Sequence, residues 1–178
     1  LCLVYSLAGC ATTSVTAPSE SASIAIAYTV TGAKGMRPVL RGNPSKARVS
    51  IVSFSDFECP YCSKADATLK ELVTLYGDQL QLVFMHNPLA FHKLALPASM
   101  LAAAADSQDK FWTVHDMLFE AKAELNGEVF DSIVTRTGLD MEKLQADFEN
   151  PDLLLYVKRS QAIAAAVGVQ GTPAFFVN

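Results

Sequence analysis

The sequence has little that would support binding to nucleic acid or passage through a membrane. Lysine and arginine total 14 against 18 acidic residues, and they form no basic stripe. We therefore expect no nucleic-acid partner. The apolar run at residues 1–7 is far too short to span a bilayer. Hydrophobic residues make up 51% of the 178 residues, which is typical of a globular protein that buries a sizeable core.

Cysteine is scarce as well, and the first two of the four cysteines, Cys2 and Cys10, lie near the N-terminus. Residues 1–9 are typical of the end of a signal peptide. Their last residues form Leu-Ala-Gly-Cys, which predicts a lipobox with lipid on Cys10, unless the match is due to chance. Residues 10–35 then form a tether rich in serine, threonine, alanine and proline.

Removal of the signal and lipidation of Cys10 leave only Cys59 and Cys62, so no framework of structural disulfides is available. A zinc site would need four ligands. The sequence has no second Cys-x-x-Cys, and only His86, His92 and His115 could complete such a site. We therefore expect no metal and assign the pair of cysteines to redox chemistry.

The periodicity of apolar residues predicts alternating strands and helices. Residues 36–40 and 48–54 are predicted strands, and a helix begins at Pro60 and stops at Gly77. A buried strand follows at residues 80–85, which completes a right-handed βαβ unit. Five helical segments follow, at residues 94–105, 110–121, 129–137, 141–148 and 152–167. Their apolar positions, including His115, are assigned to core packing and not to chemistry.

The Cys59-Pro60-Tyr61-Cys62 motif lies at the junction between the first long strand and its helix. Unpaired N–H groups and the positive end of the helix dipole favour a thiolate at this place. We expect Cys59 to be the exposed, attacking sulfur. Cys62 is then the resolving sulfur beneath the helix. A Cys-x-x-Cys that opens the helix of a βαβ unit is a specific sign of redox function.

Three motifs together resemble the DsbA-like family of exported bacterial oxidoreductases. They are FSDFECPYC at residues 54–62, PLAFH at residues 88–92 and GTPAFFVN at residues 171–178. The resemblance covers residues 36–178 and implies an α/β thioredoxin fold with a helical domain inserted at about residues 93–167. It also implies a further strand and closing helix beyond Asn178, so we expect the sequence to be a fragment at both ends.

The resemblance implies a role for each matching residue. Cys59 corresponds to the nucleophile and Cys62 to the resolving cysteine. Thr172-Pro173 corresponds to the cis-proline turn beside the disulfide, and these two residues with Pro60 and Tyr61 would contact substrate. The implied reaction is thiol–disulfide exchange with cysteine-containing exported proteins, without a cofactor other than the disulfide itself.

The predicted export signal favours the oxidase direction, because disulfides persist outside the cytosol. The expected location is the cell envelope, with a lipid anchor and a membrane redox partner that resets the disulfide. The Pro-Tyr dipeptide places no cation between the cysteines, so we expect a reduction potential between those of strong oxidants and thioredoxin.

Alternatives remain open at this point. They are a reductase or isomerase of the same fold, a redox-silent binding or chaperone module and, less favoured, a glutaredoxin with a similar CPYC.

The sequence departs from the family at one position. Many relatives carry a buried acid six residues before the first cysteine, where this chain has Ser53. Asp56 and Glu58 are closer to the motif in sequence, but we interpret both as solvated loop charges. His92 could exchange protons with Cys62, although a surface or turn role is favoured. The route of that proton is therefore left open.

Overall fold

Four strands form one mixed sheet in the computed structural model, which describes residues 39–43, 45–121 and 124–177. The strands are β1 (Val39–Arg41), β2 (Val49–Ser55), β3 (Leu80–His86) and β4 (Ala174–Val177). Their order across the sheet is β1-β3-β2-β4. β2 and β3 are parallel, whereas β1 pairs antiparallel with β3 and β4 antiparallel with β2. The predicted signal remnant, Cys10 and the tether lie outside the described residues.

Six α-helices complete the fold in this part of the chain. They are α1 (Pro60–Tyr76), α2 (Ala95–Asp106), α3 (Phe111–Glu120), α4 (Gly127–Thr137), α5 (Met141–Glu149) and α6 (Pro151–Ala166). α1 connects β2 to β3, and the other five lie between β3 and β4. The predicted thioredoxin fold with a helical insertion is therefore confirmed, and each predicted helix is present with ends shifted by two residues at most.

Local chemistry explains where the helices start and stop. Pro60 opens α1, and Gly77 ends it with a φ of +49°, a conformation that costs glycine little. In the inserted helices, the side chains of Asn126, Asp140 and Asn150 accept hydrogen bonds from the first backbone N–H groups of α4, α5 and α6. These caps satisfy donors that have no partner within the helix.

The sheet is covered on both faces, as the continuous apolar sequence of β3 requires. Leu82 of β3 packs with Leu69 of α1 on one face. Val83 packs with Ala164 of α6 on the other face. All seven residues of β3 are buried. The parallel β2–α1–β3 unit thus lies at the centre of the molecule, and the start of α1 lies above the end of β2.

The inserted helices are attached to the edge of the sheet through α3. Trp112 donates its indole N–H to the carbonyl of Leu40 at 2.9 Å, and the Arg41 guanidinium lies 4.3 Å from the Trp112 ring centre. Arg41 also donates to both carboxylate oxygens of Asp116, at 3.1 and 3.0 Å. These contacts fix the position of α3 against β1. Among the helices described, none is both long and apolar enough to cross a membrane.

Candidate active site

The two cysteines of the CPYC motif lie in the first turn of α1. Cys59 is the N-cap residue, and its carbonyl accepts a hydrogen bond from the N–H of Cys62 at 3.0 Å. Both are free thiols. Cys59 is only 5% exposed and Cys62 only 1%, so the prediction of an exposed Cys59 is wrong. What is exposed is the dipeptide between them, in which Tyr61 is 67% accessible and Pro60 is also on the surface.

The environment of Cys62 opposes ionisation of its thiol. Burial raises its pKa to about 11, and the nearby Cys59 adds to this effect. The hydroxyls of Ser55 and Thr172 and the backbone at Asp56 favour the thiolate, but they do not compensate for the loss of solvation. Near neutral pH the Cys62 thiol is therefore protonated, and its reaction requires that the proton be removed.

The predicted cis-proline turn is present beside the cysteines. The Thr172–Pro173 peptide bond is cis. The thiol of Cys59 lies 3.4 Å from the carbonyl oxygen of Thr172, to which it donates a hydrogen bond. The hydroxyl of Thr172 is buried and lies near Cys62, whose thiolate it favours. The turn and the start of α1 thus face each other, although more than a hundred residues separate them in the sequence.

The prediction of a solvated Asp56 is wrong. Its side chain is fully buried and accepts hydrogen bonds from the N–H groups of Glu58 at 2.7 Å and Leu89 at 2.8 Å. The same carboxylate is 2.8 Å from Nδ1 of His92. The Asp56 carboxylate is excluded from solvent because the segment after β3 folds back over the CPYC loop and encloses it. A charged group at this depth requires such partners.

Glu58 and His92 also have partners that the sequence did not indicate. Glu58 is partly buried, and its carboxylate accepts a 2.7 Å hydrogen bond from the N–H of Leu94, at the start of α2. It is therefore not simply a solvated loop charge. His92 is 18% exposed and is held against Asp56, which agrees with the favoured turn role. Asp56 and Glu58 together fasten the β3–α2 loop to the CPYC loop.

A polar cluster that the sequence analysis missed lies beneath Cys62. A cavity of about 10 Å³ is lined by Ser53, Ser55, Cys62, Asp66 and His115, together with neighbouring apolar side chains and Pro173. Asp66 and His115 are almost fully buried, at 5% and 1% exposure. A helical-wheel signal was available, because Cys62, Asp66 and Leu69 lie at i, i+4 and i+7 and share the inner face of α1.

One group of possible metal ligands is found among the described residues, and it shares Asp66 and His115 with the wall of this cavity. It comprises Asp66, His115 and Asp116 and includes neither cysteine. The ammonium of Lys70 lies 2.9 Å from Asp66 and 3.2 Å from Asp116, while Arg41 holds the far side of Asp116. Two cations already neutralise these carboxylates, so the arrangement is that of an ion-pair network and is poorly suited to a metal.

Comparisons with known proteins agree with this geometry. A sequence profile of the thioredoxin family matches residues 35–178. A thioredoxin-like oxidoreductase from Silicibacter pomeroyi is 34% identical, covers 79% of this chain and 80% of its own, and superimposes with a TM-score of 0.70. The thiol-disulfide exchange protein alpha-DsbA2 from Wolbachia pipientis gives a TM-score of 0.76 at 20% identity, covering 92% of this chain and 88% of its own. That second likeness establishes the fold.

Curated relatives carry the matching segment inside a longer protein. The Na(+)/H(+) antiporter NhaA of Herminiimonas arsenicoxydans is 35% identical over 139 residues, which are 78% of this chain but 22% of the antiporter. This chain therefore spans only about a fifth of the length of that relative. Because the matching profile covers residues 35–178, the chain belongs to the thioredoxin family.

Proposed function

We propose that this protein exchanges disulfides with cysteine-containing exported proteins through Cys59 and Cys62, and that it acts as an oxidase. One observation carries the proposal: the sulfur of Cys59 lies at the tip of α1 against the Thr172 carbonyl, with Cys62 directly behind it in the same turn. Electrons are carried by the cysteine pair itself, so the reaction needs no bound cofactor.

In the oxidase direction the reaction starts from the Cys59–Cys62 disulfide. A substrate thiolate attacks the sulfur of Cys59, the bond between the two cysteines breaks, and Cys62 leaves with the electron pair and then gains a proton. A second substrate thiolate attacks the mixed disulfide and releases Cys59. The substrate loses two electrons, and the cysteine pair gains them. The reductase direction is the same sequence in reverse.

The neighbours of Cys59 support it as the sulfur that meets substrate. Cys59 is adjacent to the exposed Pro60-Tyr61 dipeptide and contacts the partly exposed Thr172-Pro173 turn. A peptide that passes over Cys59 would contact both. The backbone of Thr172 offers the hydrogen-bonding group, and Tyr61 offers an exposed apolar ring.

The oxidase direction and the location in the cell envelope rest on the predicted signal peptide and lipobox at Cys10. In this setting a membrane partner would return the cysteine pair to the disulfide after each cycle. The antiporter relatives, which join a similar segment to a transporter, support a role next to a membrane.

The test is the oxidation of a reduced dithiol peptide by the oxidised protein, compared with reduction of the corresponding disulfide peptide. We expect faster oxidation, abolished in Cys59→Ser. Cys62→Ser cannot form the internal disulfide, but its Cys59 thiolate should attack the disulfide peptide, release one peptide thiolate and accumulate as a mixed disulfide that mass spectrometry detects. Cys10→Ser is the matched control and should leave the rate unchanged. Faster reduction would identify a reductase, and a peptide that binds without any exchange would identify a redox-silent binding module.

A further inference from the structure

The proposed reaction requires a residue that removes the proton from Cys62, and no such residue has been identified so far. Its thiol has a pKa raised to about 11 by burial, so only about one molecule in ten thousand carries the thiolate at neutral pH. Ser53, on the strand beneath the motif, is not an acid. Asp56 is occupied by Glu58, Leu89 and His92.

We propose that Asp66 exchanges this proton with Cys62 through a water molecule in the cavity beneath α1, and that His115 and Asp116 connect Asp66 to the surface. This inference rests on the proposed function, since it concerns the resolving step of the same reaction. The cavity touches both Cys62 and Asp66, and its volume of about 10 Å³ corresponds to one water molecule. Ser53 and Ser55 supply polar atoms at its wall.

The orientation of Asp66 supports a role beyond the ion pair. Its Oδ2 atom is 2.9 Å from the ammonium of Lys70. Its Oδ1 atom lies 3.7 Å from Nε2 of His115, which is beyond hydrogen-bond distance. An ion pair formed only for stability could lie on the solvent side of α1. Here the Asp66 side chain is buried and lines the cavity, where its carboxylate can accept a proton.

The position of His115 connects this carboxylate to the outside. Nδ1 of His115 is 2.8 Å from Asp116, and desolvation lowers the pKa of the imidazole. A neutral ring that donates from Nδ1 to a carboxylate presents the lone pair of Nε2 to Asp66. Asp116 is 30% exposed and Lys70 is 32% exposed, so the cluster extends from the cavity to solvent.

The charged and titratable groups around Asp66 and His115 come from every element packed against these two residues. They are Cys59, Cys62 and Lys70 from α1, Asp116 from α3, Arg41 from β1 and His86 from β3. Lys70 forms ion pairs with Asp66 and Asp116, and Arg41 pairs with Asp116. Desolvation lowers the pKa of the His115 imidazole, and the charge of Arg41 acts in the same direction.

The proton balance of the resolving step is simple. The Cys62 thiol gives its proton to the water, and the water gives one to Asp66. The Cys62 thiolate then attacks the sulfur of Cys59 in the mixed disulfide, and the substrate leaves as a thiolate with the electron pair. In the oxidase direction the same proton travels from Asp66 to the departing Cys62. A positioned base of this kind typically accelerates a step by about 10²- to 10⁴-fold.

A stopped-flow reaction with an aromatic disulfide that releases a coloured thiolate separates the two steps. The reduced protein gives a first release when Cys59 forms the mixed disulfide, and a second when Cys62 resolves it. In Asp66→Asn we expect the second phase to slow by at least about tenfold near neutral pH. Its rate should then rise about tenfold per pH unit, because only the preformed thiolate reacts. Glu71→Gln, an exposed acid on the same helix, is the matched control and should behave like the wild type.

Two further variants keep the test decisive. Ser53→Asp in the Asp66→Asn background returns a carboxylate to the same cavity and should restore part of the rate at low pH. Lys70 retains Asp116 as a partner, so Asp66→Asn should fold. If circular dichroism shows that it does not, Asp66→Ser replaces it with the same expected pH profile.

The outcomes distinguish this inference from the proposed function. An unchanged second phase in Asp66→Asn, or one slowed equally at every pH, would overturn the role of Asp66 in proton transfer. Loss of the first phase in the wild-type protein would instead contradict the proposed disulfide exchange by Cys59, whatever Asp66 does.

Discussion

His86 makes the stability of the protein sensitive to acid. The imidazole is completely buried at the end of β3, and neither ring nitrogen has a hydrogen-bond partner. Aromatic rings surround it, with centroids at 5.1 Å for Phe84, 5.7 Å for Tyr156 and 5.8 Å for Phe111. Desolvation lowers its pKa from 6.5 to about 3, and the nearby His115 adds to this effect. The folded protein therefore keeps His86 neutral in mild acid.

The sign and size of the effect follow from proton linkage. Below pH 6.5 the unfolded chain binds a proton at His86 that the folded protein does not bind until about pH 3. The free energy of unfolding therefore falls as the pH falls through this window. Between about pH 7 and about pH 4.5, His86 alone removes about 2.5 kcal/mol. The lowered pKa of His115 acts in the same direction.

Urea unfolding at both pH values measures this directly, because the free energy varies linearly with denaturant. His86→Leu, which is similar in volume and cannot titrate, should lose about 2.5 kcal/mol less than the wild type between the two pH values. Phe111→Leu, in the same cluster, is the matched control and should lower stability by a similar amount at each pH. An equal pH dependence in wild type and His86→Leu would refute the reasoning.

Three other predictions follow from single residues. In the Cys59→Ser variant, alkylation of Cys62 should accelerate about tenfold per pH unit until the pH approaches the thiol pKa of about 11, as mass spectrometry would record. Asp56→Asn should cost about 2–4 kcal/mol in urea unfolding, because charge-assisted hydrogen bonds to buried N–H groups are lost; a change under about 0.5 kcal/mol would contradict this. Gly42→Ala should cost more than about 1 kcal/mol, since Gly42 has a φ of +108° and a methyl group would collide with the Leu80 carbonyl; an unchanged thermal midpoint would show that β1 adjusts.

The features that could be predicted from sequence are those encoded locally. The apolar run of β3, Pro60 at the start of α1 and Gly77 at its end each determine structure within a few residues. The Gly-Thr-Pro turn was predicted from resemblance, and its cis bond is present. The helical periodicity of residues 94–167 was equally direct, because five amphipathic segments with clear breaks leave few other arrangements.

The environment of the site depends on contacts between distant parts of the chain, which periodicity does not reveal. Asp56 is buried because Leu89 and His92, more than thirty residues later, fold over it. Near a turn signal, an aspartate is usually solvated, and this general tendency led to the wrong prediction.

His115 was correctly assigned to the core. Its contact with Asp66, however, arises from the packing of α3 on α1. The sequence gives no sign of that packing, and the role proposed for His115 in the reaction could therefore not be predicted.

If Cys59 and Cys62 form a reversible redox pair, they come to equilibrium with glutathione buffers. Quantifying the thiol and disulfide forms by mass spectrometry gives the reduction potential. We expect a reversible two-electron transition with a potential between about −120 mV and about −270 mV, toward the oxidising end for an oxidase. If the folded protein shows no such transition, Cys59 and Cys62 are not a redox pair and the protein is a redox-silent module.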